Sequence, residues 1–214
     1  MGFKVAAHVE GLDGTEAAVR HGIDTIEHGM YLNQRPELLE QMATSGQVMV
    51  PTLSGYYWMG GLGDVIDPTD AAVDPEMLPS IVELAHYNLE QGTRSLRAAR
   101  AAGVRIALGS DRDGVSGEDT ALELLRMIHH GLSPEDALVS ATSVPARAIG
   151  LGDHIGTIAP GRLADLAVLD GDALREPELL LDPGRIWLVL QLGEIVAGAA
   201  LEAPGGAGEA RGGA

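Results

Sequence analysis

The chain has 214 residues, of which 45% are hydrophobic and 21% charged, so it has enough apolar material for a packed core and is not a disordered chain. Its 14 basic and 31 acidic residues give a formal net charge of −17. Phosphate backbones and anionic membranes repel such a surface, which excludes nucleic acids and membrane surfaces as expected partners.

The sequence contains no cysteine. Disulfide frameworks, thiolate metal sites and cysteine nucleophiles are therefore excluded. The longest apolar stretch, residues 186–201, is interrupted by Gln191 and Glu194, and the first residues lack the layout of a signal peptide. These features predict a soluble, cytoplasmic protein.

Short apolar segments that end in polar or glycine residues recur through the first half of the chain and predict buried parallel strands. These segments lie at residues 4–8, 25–29, 48–53 and 104–111. Helical periodicity, with proline or capping residues at the start and glycine at the end, predicts helices beside them. The predicted helices are residues 15–21, 36–45, 75–102, 118–130 and 133–149, the last opening on Ser133 as its N-cap.

The remaining segments are less regular. Residues 54–74 are rich in glycine, aspartate and proline, which predicts an irregular connection of the kind that carries active-site residues. After residue 150 the pattern changes to turns and short strands, predicted at 155–158, 165–169, 186–190 and 195–196. The domain prediction is an α/β part over residues 1–150, a β part over 151–202 and a disordered tail over 203–214.

Three of the predicted strands end in a side chain that can bind a metal: His8, His28 and Asp111. In α/β barrels, functional side chains converge at the carboxyl ends of the strands. Imidazole and carboxylate suit zinc, manganese or iron, and such an ion lowers the pKa of water from 15.7 to about 7. Together the three predict a hydrolytic metal site, although either histidine alone is also compatible with a structural role.

Several segments resemble the metal-dependent amidohydrolases, especially their imidazolonepropionase-like and prolidase-like branch. The segments VAAH, TIEHG, VPTL and ALGSD, which end at residues 8, 29, 53 and 111, resemble strands five to eight of that family. The resemblance continues to residue 198, and its most specific part is residues 155–166, with the Pro160-Gly161 turn and an Ala-Asp pair. It implies a partial TIM-type (β/α) barrel, strands five to eight, followed by part of a small β-sandwich domain.

The same resemblance implies a role for each candidate residue. His8 would be the strand-five metal ligand, and His28 would bind a second metal or contact the substrate. Asp111 would be both a metal ligand and the general base that passes a proton to the leaving nitrogen. The implied cofactor is a divalent metal, zinc in the first place, with one or two ions in the complete site.

The sequence departs from the family pattern at its beginning. It has no His-x-His, which strand one of the family supplies, and its only lysine, Lys4, cannot be the bridging lysine of strand four. The chain therefore resembles a C-terminal half. An incomplete barrel would expose a strand edge and apolar surface, so we expect self-association or a complementing N-terminal half as a partner.

Four aromatic residues follow predicted strands: Tyr31, Tyr56, Tyr57 and Trp58. They could wall a substrate pocket or pack an irregular loop against the barrel rim.

The leading hypothesis is a metal-dependent amidohydrolase that cleaves a non-peptide, dipeptide or cyclic amide carbon–nitrogen bond of a small molecule through a metal-activated water. A non-catalytic or complementing half-barrel is the alternative, and a metal-free α/β binding module is a third hypothesis.

Overall fold

A computed structural model describes residues 2–63, 74–111 and 118–201 of the chain. The chain divides into two compact units, with the boundary between Gly156 and Thr157. The tail predicted to be disordered, residues 203–214, lies outside the described residues, as do residues 64–73 of the predicted irregular connection.

The first unit is built on a parallel sheet of four strands in the order β1-β2-β3-β4. The strands are β1 (Ala6–His8), β2 (Thr25–Glu27), β3 (Val48–Val50) and β4 (Arg105–Ile106). Ala6 pairs with Thr25, Thr25 with Val48, and Val48 with Arg105, so the strands are in step. Their carboxyl ends therefore meet at one edge of the sheet.

Helices connect and follow these strands. They are α1 (Leu12–Arg20), α2 (Pro36–Ser45), α3 (Leu53–Met59), α4 (Pro79–Ala101), α5 (Glu118–His129), α6 (Pro134–Ser140) and α7 (Ser143–Ala148), with a 3₁₀ turn at Leu32–Gln34. The predicted bounds of α2 are confirmed, and Ser133 caps α6 as predicted, accepting a hydrogen bond from Asp136 N at 3.1 Å.

Three predictions about the elements are wrong. Residues 54–59 are helical rather than irregular, and Leu53, predicted as the end of a strand, is the first residue of that helix. The single helix predicted over 133–149 is two helices, because Thr142 leaves the helical conformation and α7 starts at Ser143. Pro145 then lies in the first turn of α7, where its missing N–H costs no hydrogen bond. The strand predicted at 155–158 is absent, since the structure gives these residues bends and no ladder.

Strand β3 is buried on both faces of the sheet, as expected for a parallel strand, whereas the residues of β1 are exposed or half-buried. Met49 of β3 is fully buried on one face among side chains of β2, α1 and α2, in a cluster with Val19, Ile26 and Leu38. Its neighbours on β3 point to the opposite face and pack with Ala107 and with α7. The alternation of side chains along β3 thus determines which of them faces each side of the sheet.

The second unit contains an antiparallel sheet of three strands: β5 (Leu166–Leu169), β6 (Ile186–Gln191) and β7 (Glu194–Ala197). Short 3₁₀ segments lie at Pro177–Leu181, Pro183–Arg185 and Ala199–Leu201. Leu192 and Gly193 join β6 to β7 with φ values of 54° and 84°, as a type I′ hairpin turn requires. Among the described helices, none has the length and apolar character needed to cross a membrane.

Candidate active site

The three predicted metal ligands lie at the carboxyl edge of the parallel sheet. His8 is the last residue of β1, and His28 directly follows β2. Asp111 follows β4 after four residues without regular secondary structure and is exposed. The parallel register brings the first two together because their strands are adjacent and end at the same level. This edge is where α/β folds place ligands and catalytic groups.

His8 and His28 are in direct contact. His28 Nε2 lies 2.7 Å from His8 Nδ1, with the ring centroids 4.5 Å apart and the planes at 80°. His28 is buried, whereas the side chain of His8 is 71% exposed. One histidine is therefore held inside the sheet edge, and the other is open to a substrate or to solvent.

The surroundings of His28 favour its neutral form. Burial is the largest cause that lowers the pKa of His28, and His8 lowers it further. Glu10 and Asp111 act in the opposite direction, which shows that Asp111 is close enough to interact electrostatically with this ring. A neutral imidazole has one nitrogen with a free lone pair, which is the form that binds a metal.

A carboxylate that the sequence analysis did not single out also reaches this site. The Tyr56 hydroxyl donates a hydrogen bond to Glu10 Oε1 at 2.7 Å, and Glu10 Oε2 lies 4.0 Å from His8 Nε2. Burial, followed by the bond to Glu10, raises the pKa of Tyr56, so its phenol stays protonated. Glu10 stands two residues beyond His8, and its place just past a strand end was the signal that could have identified it.

The other three candidate aromatic residues have different surroundings. A hydrogen bond with Tyr87 is the main cause that raises the pKa of Tyr31. The hydroxyl of the buried Tyr57 lies 2.8 Å from Nε2 of His130, which directly follows α5, while Trp58 is about half exposed. The ring of Tyr56 approaches the histidine pair, with its centroid 6.2 Å from that of His28. Tyr56, Tyr57 and Trp58 lie on a helix rather than on the predicted loop.

Unusual backbone conformations cluster at the same edge. Among the described residues, five other than glycine have positive φ. Four of them follow strands of the parallel sheet: His28 at 65°, Tyr31 at 65°, Thr52 at 52° and Asp111 at 52°. The fifth, Leu192, is in a hairpin of the second unit. Strained conformations persist only where surrounding contacts enforce them, and they concentrate at functional sites.

The donor chemistry of this edge fits a divalent metal. The His8 and His28 nitrogens that face each other are the pair that would converge on one ion. Two imidazoles on one tetrahedral zinc keep their ligating nitrogens about 3.3 Å apart, so binding would need the observed 2.7 Å to open by roughly half an ångström. Over residues 2–63, 74–111 and 118–201, no three His, Asp or Glu side chains are already grouped as a metal site.

A sequence profile described as the amidohydrolase family matches residues 1–196. The ochratoxinase of Aspergillus niger is 28% identical over 197 residues, which are 91% of this chain and 38% of that protein. The imidazolonepropionase of Cereibacter sphaeroides is 30% identical over 191 residues, covering 89% of this chain and 41% of that protein. The chain therefore spans about two fifths of the length of these relatives.

Solved structures show the same partial match. The crystal structure of a Xaa-Pro dipeptidase with methionine bound in its active site superposes with a TM-score of 0.74 at 27% identity. That superposition covers 91% of this chain and 45% of the dipeptidase chain. The similarity thus includes both the parallel-sheet unit and much of the smaller unit.

Proposed function

Because this chain belongs to the amidohydrolase family, we propose that it carries part of the active site of a metal-dependent hydrolase that cleaves a carbon–nitrogen bond. The observation that carries the proposal is the 2.7 Å approach of His8 Nδ1 and His28 Nε2 at the ends of adjacent parallel strands. Relatives named ochratoxinase, imidazolonepropionase and Xaa-Pro dipeptidase support a substrate that is a small amide, dipeptide or cyclic amide.

We further propose that β1 to β4 correspond to strands five to eight of the family barrel. Their parallel order supports this, as does the succession of two histidines and an aspartate at their carboxyl ends. In this proposal residues 1–150 form half of the barrel, and residues 151–202, which include β5 to β7, belong to a β-sandwich domain.

His8 and His28 would hold a divalent metal, zinc in the first place, with Asp111 as a further ligand. Such a metal, when bound, makes hydroxide available at neutral pH. Asp111 is proposed to accept a proton from the attacking water and to deliver it to the leaving nitrogen, and its exposure leaves it free to do so. Glu10 keeps the Tyr56 hydroxyl in place beside the histidines.

Substrate contacts are proposed for the four aromatic residues Tyr31, Tyr56, Tyr57 and Trp58. The support is strongest for Tyr56, because its ring approaches His28, and for Tyr31, because its phenol and that of Tyr56 both interact electrostatically with Glu10. Tyr57 would act indirectly, through its hydrogen bond with His130.

A second candidate function is a complementing half-barrel that acts only with a partner chain or a second copy of itself. Within the described residues, β1 and β4 each have a strand neighbour on one side only. Such edges offer unpaired backbone groups to another strand. The exposure of Val5, which precedes β1, and of the His8 side chain, at the end of β1, supports this alternative.

Zinc content tests the proposal. The protein is dialysed against excess zinc and then buffer, and bound metal is measured for the unaltered chain, for His8→Ala and for a control, His21→Ala. His21 is an exposed residue whose ring bonds to the Ala17 carbonyl of its own helix. We expect metal in the first and third proteins and its loss in the second. Equal zinc in all three, or none in the unaltered chain, would refute an autonomous metal site.

The oligomeric state, measured on the same samples, separates the two candidate functions. Metal held by monomers supports the first candidate. Metal held only by self-associated protein, or only after a chain carrying a His-x-His strand is added, supports the complementing half-barrel.

A further inference from the structure

Glu123 is a fully buried carboxylate on α5 that lies outside the metal-ligand set. It accepts hydrogen bonds from Leu53 N at 2.9 Å, Ser54 N at 2.7 Å and Ser54 Oγ at 2.6 Å. Both carboxyl oxygens therefore bind the first turn of α3, 70 residues away in the sequence. Nothing in the local pattern of α5 requires this connection.

The charge of Glu123 is compensated through the same serine. Arg126 Nη1 donates to Ser54 Oγ at 2.7 Å, and Ser54 Oγ in turn donates to Glu123. Burying a carboxyl group is costly unless hydrogen bonds and a neighbouring charge offset that cost, so these bonds hold the groups that supply them in one arrangement. The arrangement held here is the start of α3.

The residue immediately before α3 is Thr52, whose φ and ψ are 52° and 48°. β-branched residues rarely adopt this left-handed conformation, because the side chain crowds the backbone. Thr52 is also buried. Glu123 anchors the two peptide N–H groups that follow it, and this anchor accounts for the persistence of the strained conformation.

The conformation of Thr52 places its hydroxyl against a proposed metal ligand. Thr52 Oγ1 donates its only hydrogen to the Pro51 carbonyl at 2.8 Å, and it lies 2.5 Å from His28 Nδ1. With its hydrogen on the Pro51 carbonyl, the hydroxyl accepts from His28, an arrangement that places the proton of the neutral ring on Nδ1. The unprotonated nitrogen is then Nε2, which faces His8.

We infer that Thr52 is a positioning residue, held in place by Glu123, that fixes His28 in the tautomer whose bare Nε2 points into the site. Its relevance to catalysis rests on the proposed metal-binding role of His28. Partners of this kind fix the ring orientation of metal-ligating histidines, and their loss usually weakens metal binding 10–100-fold.

The test compares Thr52→Val with Thr52→Ser. Valine keeps the shape and the β-branch but removes the hydroxyl, whereas serine keeps the hydroxyl. Thr44→Val is the matched control, because the Thr44 hydroxyl bonds only to carbonyls of its own helix, α2, at the surface. Nitrogen NMR of ¹⁵N-histidine-labelled, metal-free protein reports which His28 nitrogen carries the proton, with His28→Asn assigning the signals.

We expect a single Nδ1–H tautomer of His28 in the unaltered chain, in Thr52→Ser and in the control, and a mixture of tautomers in Thr52→Val. Zinc affinity, measured against a competing chelator, should fall about 10–100-fold in Thr52→Val alone. Glu123→Gln should also give a mixture of His28 tautomers and a lower zinc affinity. The NH₂ group of the glutamine would face a backbone N–H donor of α3, so one of the bonds that hold this turn would be lost. Glu90→Gln, at an exposed pair with Arg94 on α4, is its control.

Thermal unfolding shows whether each variant is folded. If Glu123→Gln does not fold, the comparison of Thr52→Val with Thr52→Ser still tests the inference. An unchanged His28 tautomer in folded Thr52→Val would overturn the inference. If the unaltered chain binds no zinc but the tautomer still changes in Thr52→Val, the proposed function fails while the positioning role stands.

Discussion

Gly109 lies where β4 leads towards Asp111, and a methyl group there would collide with β3. A Cβ built on Gly109 would stand 2.7 Å from Val50 Cγ1, whereas ordinary contacts of this kind are 3.4–4 Å. To reach ordinary contact, Gly109→Ala therefore requires a displacement of about 0.7 Å, the difference between 3.4 and 2.7 Å. The stiff, buried side chain of Val50 cannot rotate away without disturbing its own cluster.

The cost of that displacement should be about 1–3 kcal/mol, as for overpacking in other cores. Val50→Ala alone removes two methyl groups and should cost about 1.5–2 kcal/mol. In the double variant the two alanines fit together, so its loss should fall short of the sum by about 1 kcal/mol or more. Because Val50 O accepts the His28 N–H at 2.8 Å, Gly109→Ala should also weaken zinc binding.

Urea unfolding of the four proteins measures these free energies. Gly55→Ala is the control, because a Cβ at that helical glycine meets nothing within 4 Å and alanine favours helix. It should be neutral or stabilising. A Gly109→Ala protein as stable as the unaltered chain, or strictly additive losses in the double variant, would refute the packing argument.

Three further predictions concern stability. Ser133→Ala removes the cap that binds Asp136 N and should cost about 1 kcal/mol in urea unfolding; an unchanged midpoint would contradict the capping role. Burial, aided by the neighbouring His129, lowers the pKa of His130 from 6.5 to about 4. As the pH falls, His130 takes up a proton in the unfolded chain before it does so in the folded chain. The contribution of His130 to the free energy of unfolding should therefore be fully present above pH 6.5 and fall by roughly 1–2 kcal/mol towards pH 4, a range that allows for solvent screening. His130→Gln should flatten that slope, and an equal slope would refute it. Leu192→Asn, at the left-handed turn position, should raise the melting temperature of the second unit by relieving strain worth up to about 1 kcal/mol; a lower melting temperature would argue against the strained turn.

The sequence predicted those parts of the candidate site that depend on local pattern. Apolar runs ending in His8 and His28 predicted two strand ends, and the structure places both at one sheet edge because the strands are parallel and in register. The bounds of α2 followed from Pro36 at its start and Gly46 at its end. Such signals are carried by neighbouring residues and need no tertiary information.

The parts that were missed depend on distant contacts. Residues 53–59 include a glycine and three aromatic residues, whose helix propensity is weak, and the helix starts there because Glu123 binds its first turn. Thr52 looked like the continuation of a strand, and its left-handed conformation is imposed by the same contact. No pattern around residues 52 or 123 could reveal a bond between segments 70 residues apart.

Anomalous diffraction from a zinc-soaked crystal of this chain tests the metal site most directly. The proposal predicts one strong peak within about 2.0–2.1 Å of both His8 Nδ1 and His28 Nε2. A crystal whose zinc peaks all lie elsewhere, with the two histidines still bonded to each other at 2.7 Å, would contradict it.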